Sequence, residues 1–221
     1  LFRDFFLREE LKELLKSIYD VERLTGKLVC GNINARDLLA IKNTAEVLPE
    51  IKQILNPCKT KLITLLNEQI DPLEDIFLLL HQSIAEDPPI SVKEPGIIKD
   101  GYHPEIDRLR KASREGKTWL ADLEKRERDR TGIKSLKVGF NRVFGYYIEV
   151  TKSNLSLVPE DYDRKQTLAN SERYITDELK EYEALILKAE DKLQDLEYDE
   201  FCRIKEALIQ QIPRLKQSAY S

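Results

Sequence analysis

The 221-residue sequence contains no methionine, only two histidines and only three cysteines. Because a natural cytosolic chain starts with methionine, this absence predicts that the sequence is a piece of a longer protein. Cys30, Cys58 and Cys202 are widely spaced and form no C-x-x-C pair, which indicates reduced thiols in a cytosolic protein. With His81 and His103 far apart as well, we find no Cys/His zinc motif.

Long apolar runs and catalytic motifs are also missing. The longest apolar run, Ile76 to Leu80, is far shorter than the roughly 20 residues that cross a bilayer, so no membrane partner is expected. Neither G-x-x-x-x-G-K-[ST] nor G-x-G-x-x-G occurs, so the chain lacks the usual phosphate-binding loops. We therefore predict that this chain is not an enzyme and binds no cofactor or metal by itself.

Apolar residues at helical spacing dominate the first 84 positions and predict a bundle of four or five helices. Asn34 is a candidate N-cap, with Asp37 at the N3 position, and Pro49 is expected to break or kink that helix. A helix from about 59 to 69 follows, and Pro72 opens another that extends through Ile84. The opening helix carries a further set of apolar residues: Phe2, Phe5, Phe6, Leu11, Leu14, Leu15 and Ile18. Turn signals at 87–101 predict a linker with one short strand.

Two long helices are predicted next. The first begins at Pro104, extends to about residue 130 and ends before Gly132, which suits a left-handed C′ position. Its apolar stripe contains small residues in the middle and comprises Ile106, Leu109, Ser113, Gly116, Leu120 and Leu123. The second follows Thr176, a candidate N-cap, with a stripe at Leu179, Tyr182, Ile186, Ala189, Leu193 and Leu196. Two such helices on either side of a compact insert should pack antiparallel.

The insert between these helices alternates in hydrophobicity, which is typical of half-buried strands. Strands are predicted around Leu136–Phe140 and Phe144–Val150, with a turn at Asn141–Arg142 and a loop from 152 to 165. Short strands are also expected at 166–168 and 174–175. The predicted fold is therefore mainly α: a helical bundle plus two long antiparallel helices that carry a small β-rich domain at their tip.

The charge distribution leaves two functions open. The chain has a net charge of -4, which is unusual for a nucleic-acid-binding protein. Residues 131–176, however, contain seven basic and five acidic side chains, whereas 177–200 contain ten acidic and three basic ones. Only the contacting surface of a DNA-binding protein must be positive, so DNA contact by the insert is one hypothesis. A coiled-coil protein-interaction module is the alternative.

Two segments of the insert carry a family resemblance. The sequence T-G-I-K-S-L-K-V-G-F-N-R-V-F-G-Y-Y-I-E-V-T at 131–151 resembles the clamp domain of bacterial MutS mismatch-repair proteins. The sequence Q-T-L-A-N-S-E-R-Y-I-T at 166–176, followed by E-L-K-E-Y-E at 178–183, is similar to the end of that domain. Upstream, D-F-F-L-R-E-E-L at 4–11 and G-N-I-N-A-R-D-L at 31–38 are similar to the core helices of the family. The resemblance extends over essentially the whole chain.

The resemblance implies a helical core at 1–103 with 205–221, lever helices at 104–130 and 177–204, and a clamp at 131–176. The longer protein would be a homodimeric, ATP-dependent mismatch-binding ATPase that uses ATP and magnesium and encircles double-stranded DNA. It would be cytoplasmic, associated with the nucleoid, and could contact a repair partner protein. This chain would supply only the lever and clamp, which grip the DNA backbone and couple the remote ATPase to clamp opening and closing.

Charge and loop position select the residues expected to contact the DNA backbone. The expected contacts are Lys152, Ser153, Asn154, Arg164, Lys165, Asn170 and Arg173, with Asn141 and Arg142 as further candidates in the turn.

Overall fold

A computed structural model describes residues 5–220, which form eight α-helices and one four-stranded antiparallel sheet. The chain is thus mainly helical with a small β-rich part, as predicted; Phe2, in the first predicted apolar stripe, lies outside the described residues. The helices are α1 (Phe5–Lys16), α2 (Val21–Val29), α3 (Ala35–Leu55), α4 (Lys61–Gln69), α5 (Glu74–Ser83), α6 (Pro104–Thr131), α7 (Asp177–Ile209) and α8 (Ile212–Tyr220). The strands are β1 (Lys137–Asn141), β2 (Gly145–Thr151), β3 (Asp163–Thr167) and β4 (Ser171–Ile175).

The chain divides into two compact units. The helical unit comprises Leu1–Pro104 and Gln194–Ser221, and the arm unit comprises Glu105–Leu193. Helix α7 has residues in both units and ends at Ile209, five residues beyond the end predicted for the second long helix.

Helix α3 begins as predicted. The side chain of Asn34 accepts a hydrogen bond from the Asp37 amide, and the Asp37 carboxylate accepts one from the Asn34 amide. Of the two outcomes expected at Pro49, a break or a kink, the break does not occur, because α3 continues to Leu55. Buried residues at Leu48 and beyond keep one apolar face in the core. Their burial outweighs the roughly 3 kcal/mol that an interior proline costs.

Helix α5 begins later than predicted. Leu73 precedes it in a left-handed backbone conformation, with φ of 53°, and its amide donates to the Asp71 carboxylate. Leu73 is the N-cap residue of α5: its carbonyl accepts a hydrogen bond from the Phe77 amide at 2.9 Å, and the helix itself begins at Glu74. The side chain is nevertheless buried at 2% exposure, which indicates that core packing holds this backbone.

The linker after α5 packs against the helical unit. Ile84 and Ile98 form an isolated antiparallel bridge, which takes the place of the short strand predicted there, and the side chains of Ile97 and Ile98 are fully buried. The amides of Gly96 and Ile97 both donate to the Glu197 carboxylate, at 2.7 and 2.8 Å. Two backbone donors satisfy an otherwise costly buried charge, which fixes the linker on α7.

In the arm unit, α6 and α7 pack antiparallel. Lys192 pairs with Glu105 at one end, and Arg126 pairs with Glu178 at the other. All six residues of the predicted α6 stripe are buried. Across the seam, a Cβ on Gly116 would lie 2.6 Å from Cγ1 of Ile186, so only glycine permits this approach. Tyr182, in the predicted α7 stripe, stays partly exposed and stacks on Trp119, with centroids 3.6 Å apart.

We predict that Gly116→Ala destabilises the arm unit by about 1 kcal/mol. The added methyl overpacks against Ile186, and this cost exceeds the gain of about 1 kcal/mol in helix propensity. Urea denaturation followed by the fluorescence of Trp119, the single tryptophan, measures the change. The matched control is Gly26→Ala in α2, where no atom lies within 4 Å of the new methyl and a stabilisation is expected. An unchanged or raised urea midpoint for Gly116→Ala would show that the interface between α6 and α7 can accommodate the added methyl group.

Candidate nucleic-acid interface

The sheet has the strand order β1-β2-β4-β3, and every neighbouring pair is antiparallel. β1 and β2 form a hairpin in which Asn141 pairs with Gly145, so three residues make the loop. Gly145 has φ of +74°, the left-handed conformation that closes such loops. The Asn141 side chain accepts a hydrogen bond from the Val143 amide, which confirms the turn predicted at Asn141–Arg142.

One face of the sheet packs onto the two long helices. Ile148, Val150 and Tyr174 form a buried cluster with Leu123 of α6 and Leu179 of α7. The free edge of β1 is satisfied by α6: the Val138 amide donates to Glu124, and the Arg128 side chain donates to the Leu136 carbonyl. This covering leaves fewer unpaired backbone groups at the edge and fixes the sheet on the helix.

The connection between β2 and β3 is fixed by a buried carboxylate. Glu127 of α6, 6% exposed, accepts hydrogen bonds from the Tyr162 hydroxyl at 2.8 Å and from Arg130 at 2.9 Å. Burial and this bond raise the pKa of Tyr162 well above its ordinary value. Arg130 also binds Asp161, whose pKa it lowers. The carboxylate therefore orders the segment after the 3₁₀ helix Lys152–Leu157.

On the other face of the sheet, Arg173 is bound on three sides. Its guanidinium lies 4.1 Å from the ring centroid of Tyr147 and donates to Glu149 and Gln166, each at 3.0 Å. The Tyr147 ring in turn lies over Gly139, where a Cβ would approach it to 2.8 Å. Arg173 therefore ties together strands β2, β3 and β4, and its side chain is only 18% exposed.

Four of the nine predicted contact residues come together where β2 ends and β4 begins, which we call the polar end of the sheet. The Lys152 amide donates to the Asn170 carbonyl at 3.0 Å. The Asn154 side chain donates to the hydroxyls of Ser135 and Thr151 at 2.9 and 3.1 Å. Ser153 lies beside Thr151, with the two hydroxyl oxygens 3.2 Å apart. The polar end therefore combines hydroxyl and amide groups with Lys152, whose side chain is exposed.

The other five predicted residues lie elsewhere. Asn141 and Arg142 occupy the opposite end of the seven-residue strand β2, about 20 Å away at ~3.4 Å per residue. Arg164 and Lys165 belong to β3, which corrects the predicted loop from 152 to 165. A register shift between Arg164 and Gln166 leaves Lys165 unpaired in the ladder, and such a bulge turns a side chain outward. Arg173 is bound within the sheet by Glu149, Gln166 and the Tyr147 ring.

Internal ion pairs remove most of the negative charge of residues 131–176. Four of the five acidic side chains are paired: Glu149 with Arg173, Asp161 with Arg130, Asp163 with Lys180 and Glu172 with Arg164. Glu172 also accepts from the Tyr174 hydroxyl, and burial together with that bond raises the pKa of Tyr174 to about 12.

The same pairing leaves a surplus of positive charge on the surface. Within residues 5–220, the basic side chains of this segment that make no ion pair are Lys134, Lys137, Arg142, Lys152 and Lys165, all of them exposed. On the same count only Glu160 remains unpaired among the acidic ones. The segment thus has five unpaired cations against one unpaired carboxylate, whereas its sequence contains seven basic and five acidic residues. Ion pairing therefore increases the positive surplus at the surface.

Three residues of the polar end were not among the predicted contacts. Ser135 accepts a hydrogen bond from Asn154, and Lys134 precedes it. Lys137, at the start of β1, lies opposite Glu149 in the strand register but makes no ion pair with it. Lys134 and Lys137 are basic residues of the insert, but their sequence positions do not indicate which end of the sheet they occupy.

Residues 5–220 contain neither a candidate membrane span nor a candidate metal site. In this part of the chain no helix is long and apolar enough to cross a membrane. No group of three or more His, Cys, Asp and Glu side chains there is arranged to hold a metal ion.

Comparison with known proteins identifies the segment. Residues 101–192, which include the sheet, all of α6 and the part of α7 up to residue 192, match the family model described as MutS family domain IV. The chain belongs to the MutS family. It is 57% identical over 215 residues to the DNA mismatch repair protein MutS of Ruminiclostridium cellulolyticum, covering 97% of this chain and 25% of that protein.

Two further relatives agree with this assignment. The MutS of Halothermothrix orenii is 55% identical over 219 residues, and that of Bacillus cytotoxicus is 56% identical over 217 residues. These matches cover 99% and 98% of this chain, but 24% of each relative. The chain thus spans about a quarter of the length of the MutS proteins that it matches.

We predict that Arg173→Ala lowers the free energy of unfolding of the arm unit by about 2 kcal/mol. The substitution removes two charge-assisted hydrogen bonds and the contact with Tyr147. Lys152→Ala is the matched control and should change the free energy of unfolding by less than about 0.5 kcal/mol, because the Lys152 side chain is exposed. Urea denaturation monitored by Trp119 fluorescence compares the stabilities of the two variants. Equal effects would contradict the structural role of Arg173.

Proposed function

We propose that this chain is the lever and clamp segment of a mismatch-repair ATPase, and that the clamp grips the DNA backbone without reading its sequence. The observation that carries the proposal is the set of five exposed cations without ion pairs among the described residues, three of which (Lys134, Lys137 and Lys152) lie at the polar end. Phosphate contacts of this kind position a protein on DNA but carry no sequence information.

The net charge of -4 is compatible with this proposal. Four of the five acidic side chains of the clamp are engaged in ion pairs with Arg130, Arg164, Arg173 and Lys180, which leaves five other cations available to phosphates. Charges farther than about 10 Å from the contact are largely screened at physiological salt. Acidic residues on α7 outside the contact therefore reduce the attraction to DNA only weakly.

The paired helices α6 and α7 suit the lever role. Their seam has close packing at Gly116, a ring stack at Trp119 and ion pairs at both ends. A rigid pair of this kind can carry a displacement along its length without bending. We assign the lever to 104–130 and 177–204, the clamp to 131–176, and the core to 1–103 with 205–221.

The remaining functions belong to the rest of the longer protein. ATP and magnesium would bind outside residues 1–221, which contain no phosphate-binding loop motif. There the ATPase would bias the lever between an open and a closed clamp in a homodimer around double-stranded DNA. A repair partner protein and a location at the cytoplasmic nucleoid remain part of the same proposal.

The alternative, a coiled-coil module for protein interaction, is less well supported. The apolar stripes of α6 and α7 pack against each other, so they are not available to a partner helix. A protein partner would have to bind the outer faces of these helices, which are mainly charged.

We predict that Lys152→Ala with Lys165→Ala weakens binding to matched and mismatched duplexes alike. Each lost phosphate contact should make the slope of log affinity against log salt shallower by about 0.9. Fluorescence anisotropy of a labelled duplex of about 30 base pairs, at two or more salt concentrations, measures both effects.

The control for this experiment is Lys59→Ala with Lys61→Ala, which removes the same charge from exposed positions of the helical unit. The control should retain the affinity and the salt slope of the unaltered chain. An equal loss in both double variants would attribute binding to net charge alone. A loss confined to mismatched DNA would contradict contact with the backbone.

A further inference from the structure

Glu127, near the C-terminal end of α6, links this helix to a distant segment of the chain. Its carboxylate is buried, and Arg130, one turn further along the same helix, binds it at 2.8 Å. A buried carboxylate requires such a partner, because removing an ion from water is costly. The same carboxylate accepts a hydrogen bond from the Tyr162 hydroxyl at 2.8 Å, although Tyr162 lies 35 residues away in the connection that enters β3.

Tyr162 continues this link into the sheet. Its buried ring lies against the ring of Tyr174 in β4, with centroids 5.7 Å apart. The Tyr174 hydroxyl donates to Glu172 at 2.6 Å, and Glu172 pairs with Arg164 of β3 at 3.6 Å. Buried polar groups hold one another in place, because a broken bond would leave one of them without a partner in the interior. We call this series of contacts, from Glu127 to Arg164, the polar chain.

The polar chain ends beside Lys165, which is exposed and makes no ion pair among the described residues. Strands β3 and β4 are paired at Arg164 and again at Gln166, but the register shifts between them, so Lys165 has no partner in the ladder. Its position is therefore set by the residues on either side. Gln166 is held by Arg173 at 3.0 Å, and Arg164 is held by the polar chain.

Lys152 has a separate support. Its amide donates to the Asn170 carbonyl at 3.0 Å, and the preceding residue, Thr151, is paired with Ser171 in the sheet. Neither contact involves the polar chain. Lys152 and Lys165 are therefore two exposed cations whose positions depend on different sets of contacts.

We propose that Glu127 is a positioning residue for DNA binding, and that through Tyr162 it holds the bulge of β3 that presents Lys165 to a phosphate. This inference rests on the proposed function, in which the clamp grips the DNA backbone. Glu127 belongs to the helix assigned to the lever, so the polar chain connects the lever to one phosphate contact. Breaking the chain should remove the contribution of Lys165 and leave that of Lys152 intact.

Tyr162→Phe breaks the link with a small change, because it removes the hydroxyl that Glu127 binds and keeps the ring. The matched control is Tyr146→Phe. Tyr146 packs against the same apolar cluster, but its hydroxyl makes no hydrogen bond within residues 5–220. A second variant, Glu127→Leu with Tyr162→Phe, replaces both partners by apolar side chains. It leaves neither group buried without a partner if the single substitution is destabilising.

The measurement is a double-mutant cycle, which separates a specific dependence from a general loss of stability. Lys165→Ala and Lys152→Ala are introduced into the unaltered chain and into each of the three variants. Fluorescence anisotropy of a labelled, matched duplex of about 30 base pairs gives the affinities at ~0.1 M salt. Urea denaturation monitored by Trp119 fluorescence shows that each variant is folded under the binding conditions.

In the unaltered chain and in the control, each lysine substitution should weaken binding about fivefold at this salt concentration. In the Tyr162→Phe chain and in the second variant, we expect Lys165→Ala to weaken binding by less than about twofold, whereas Lys152→Ala keeps its full effect.

A full effect of Lys165→Ala in the Tyr162→Phe chain would overturn the inference and leave the proposed function standing. An equal reduction of both lysine effects would also overturn it, since a general loosening of the sheet would then explain the loss. If neither lysine contributed to binding in the unaltered chain, the proposed function would fail and the inference with it.

Discussion

The close approach of α6 and α7 at Gly116 is the contact on which the arm unit depends. It allows the two stripes to interlock from the Lys192–Glu105 pair to the Arg126–Glu178 pair. The end of α6 and the start of α7 are thereby brought close together, and the 45 residues between Thr131 and Asp177 must fold back on themselves there. The sheet buries one face on both helices, so helix pairing and sheet formation stabilise each other.

Ion pairing within the sheet region separates two kinds of charge. Acidic side chains are held by Arg130, Arg164, Arg173 and Lys180, whereas five other basic side chains stay exposed without ion pairs among the described residues. A chain with a net charge of -4 can thus present a locally positive surface. A carboxylate in an ion pair mainly neutralises the cation that it contacts. The ion pairs that form therefore determine which cations remain available to a phosphate.

The two units differ in how completely they bury their apolar surface. The arm unit has a closed cluster in which Leu136, Ile148 and Val150 are fully buried. The helical unit has a buried centre around Leu24 and Leu38, but its helices α1 and α4 contain no buried residue.

The sequence by itself determined the features that rest on local or periodic information: the Asn34 capping box, the α6 stripe, the end of α6 at Gly132 and the β1–β2 hairpin. The tertiary structure alone decided that α3 passes through Pro49, that Arg173 is bound within the sheet, and that Lys152 lies beside Asn170. Those outcomes depend on groups far apart in the chain, whose packing and hydrogen bonds outweigh local preferences.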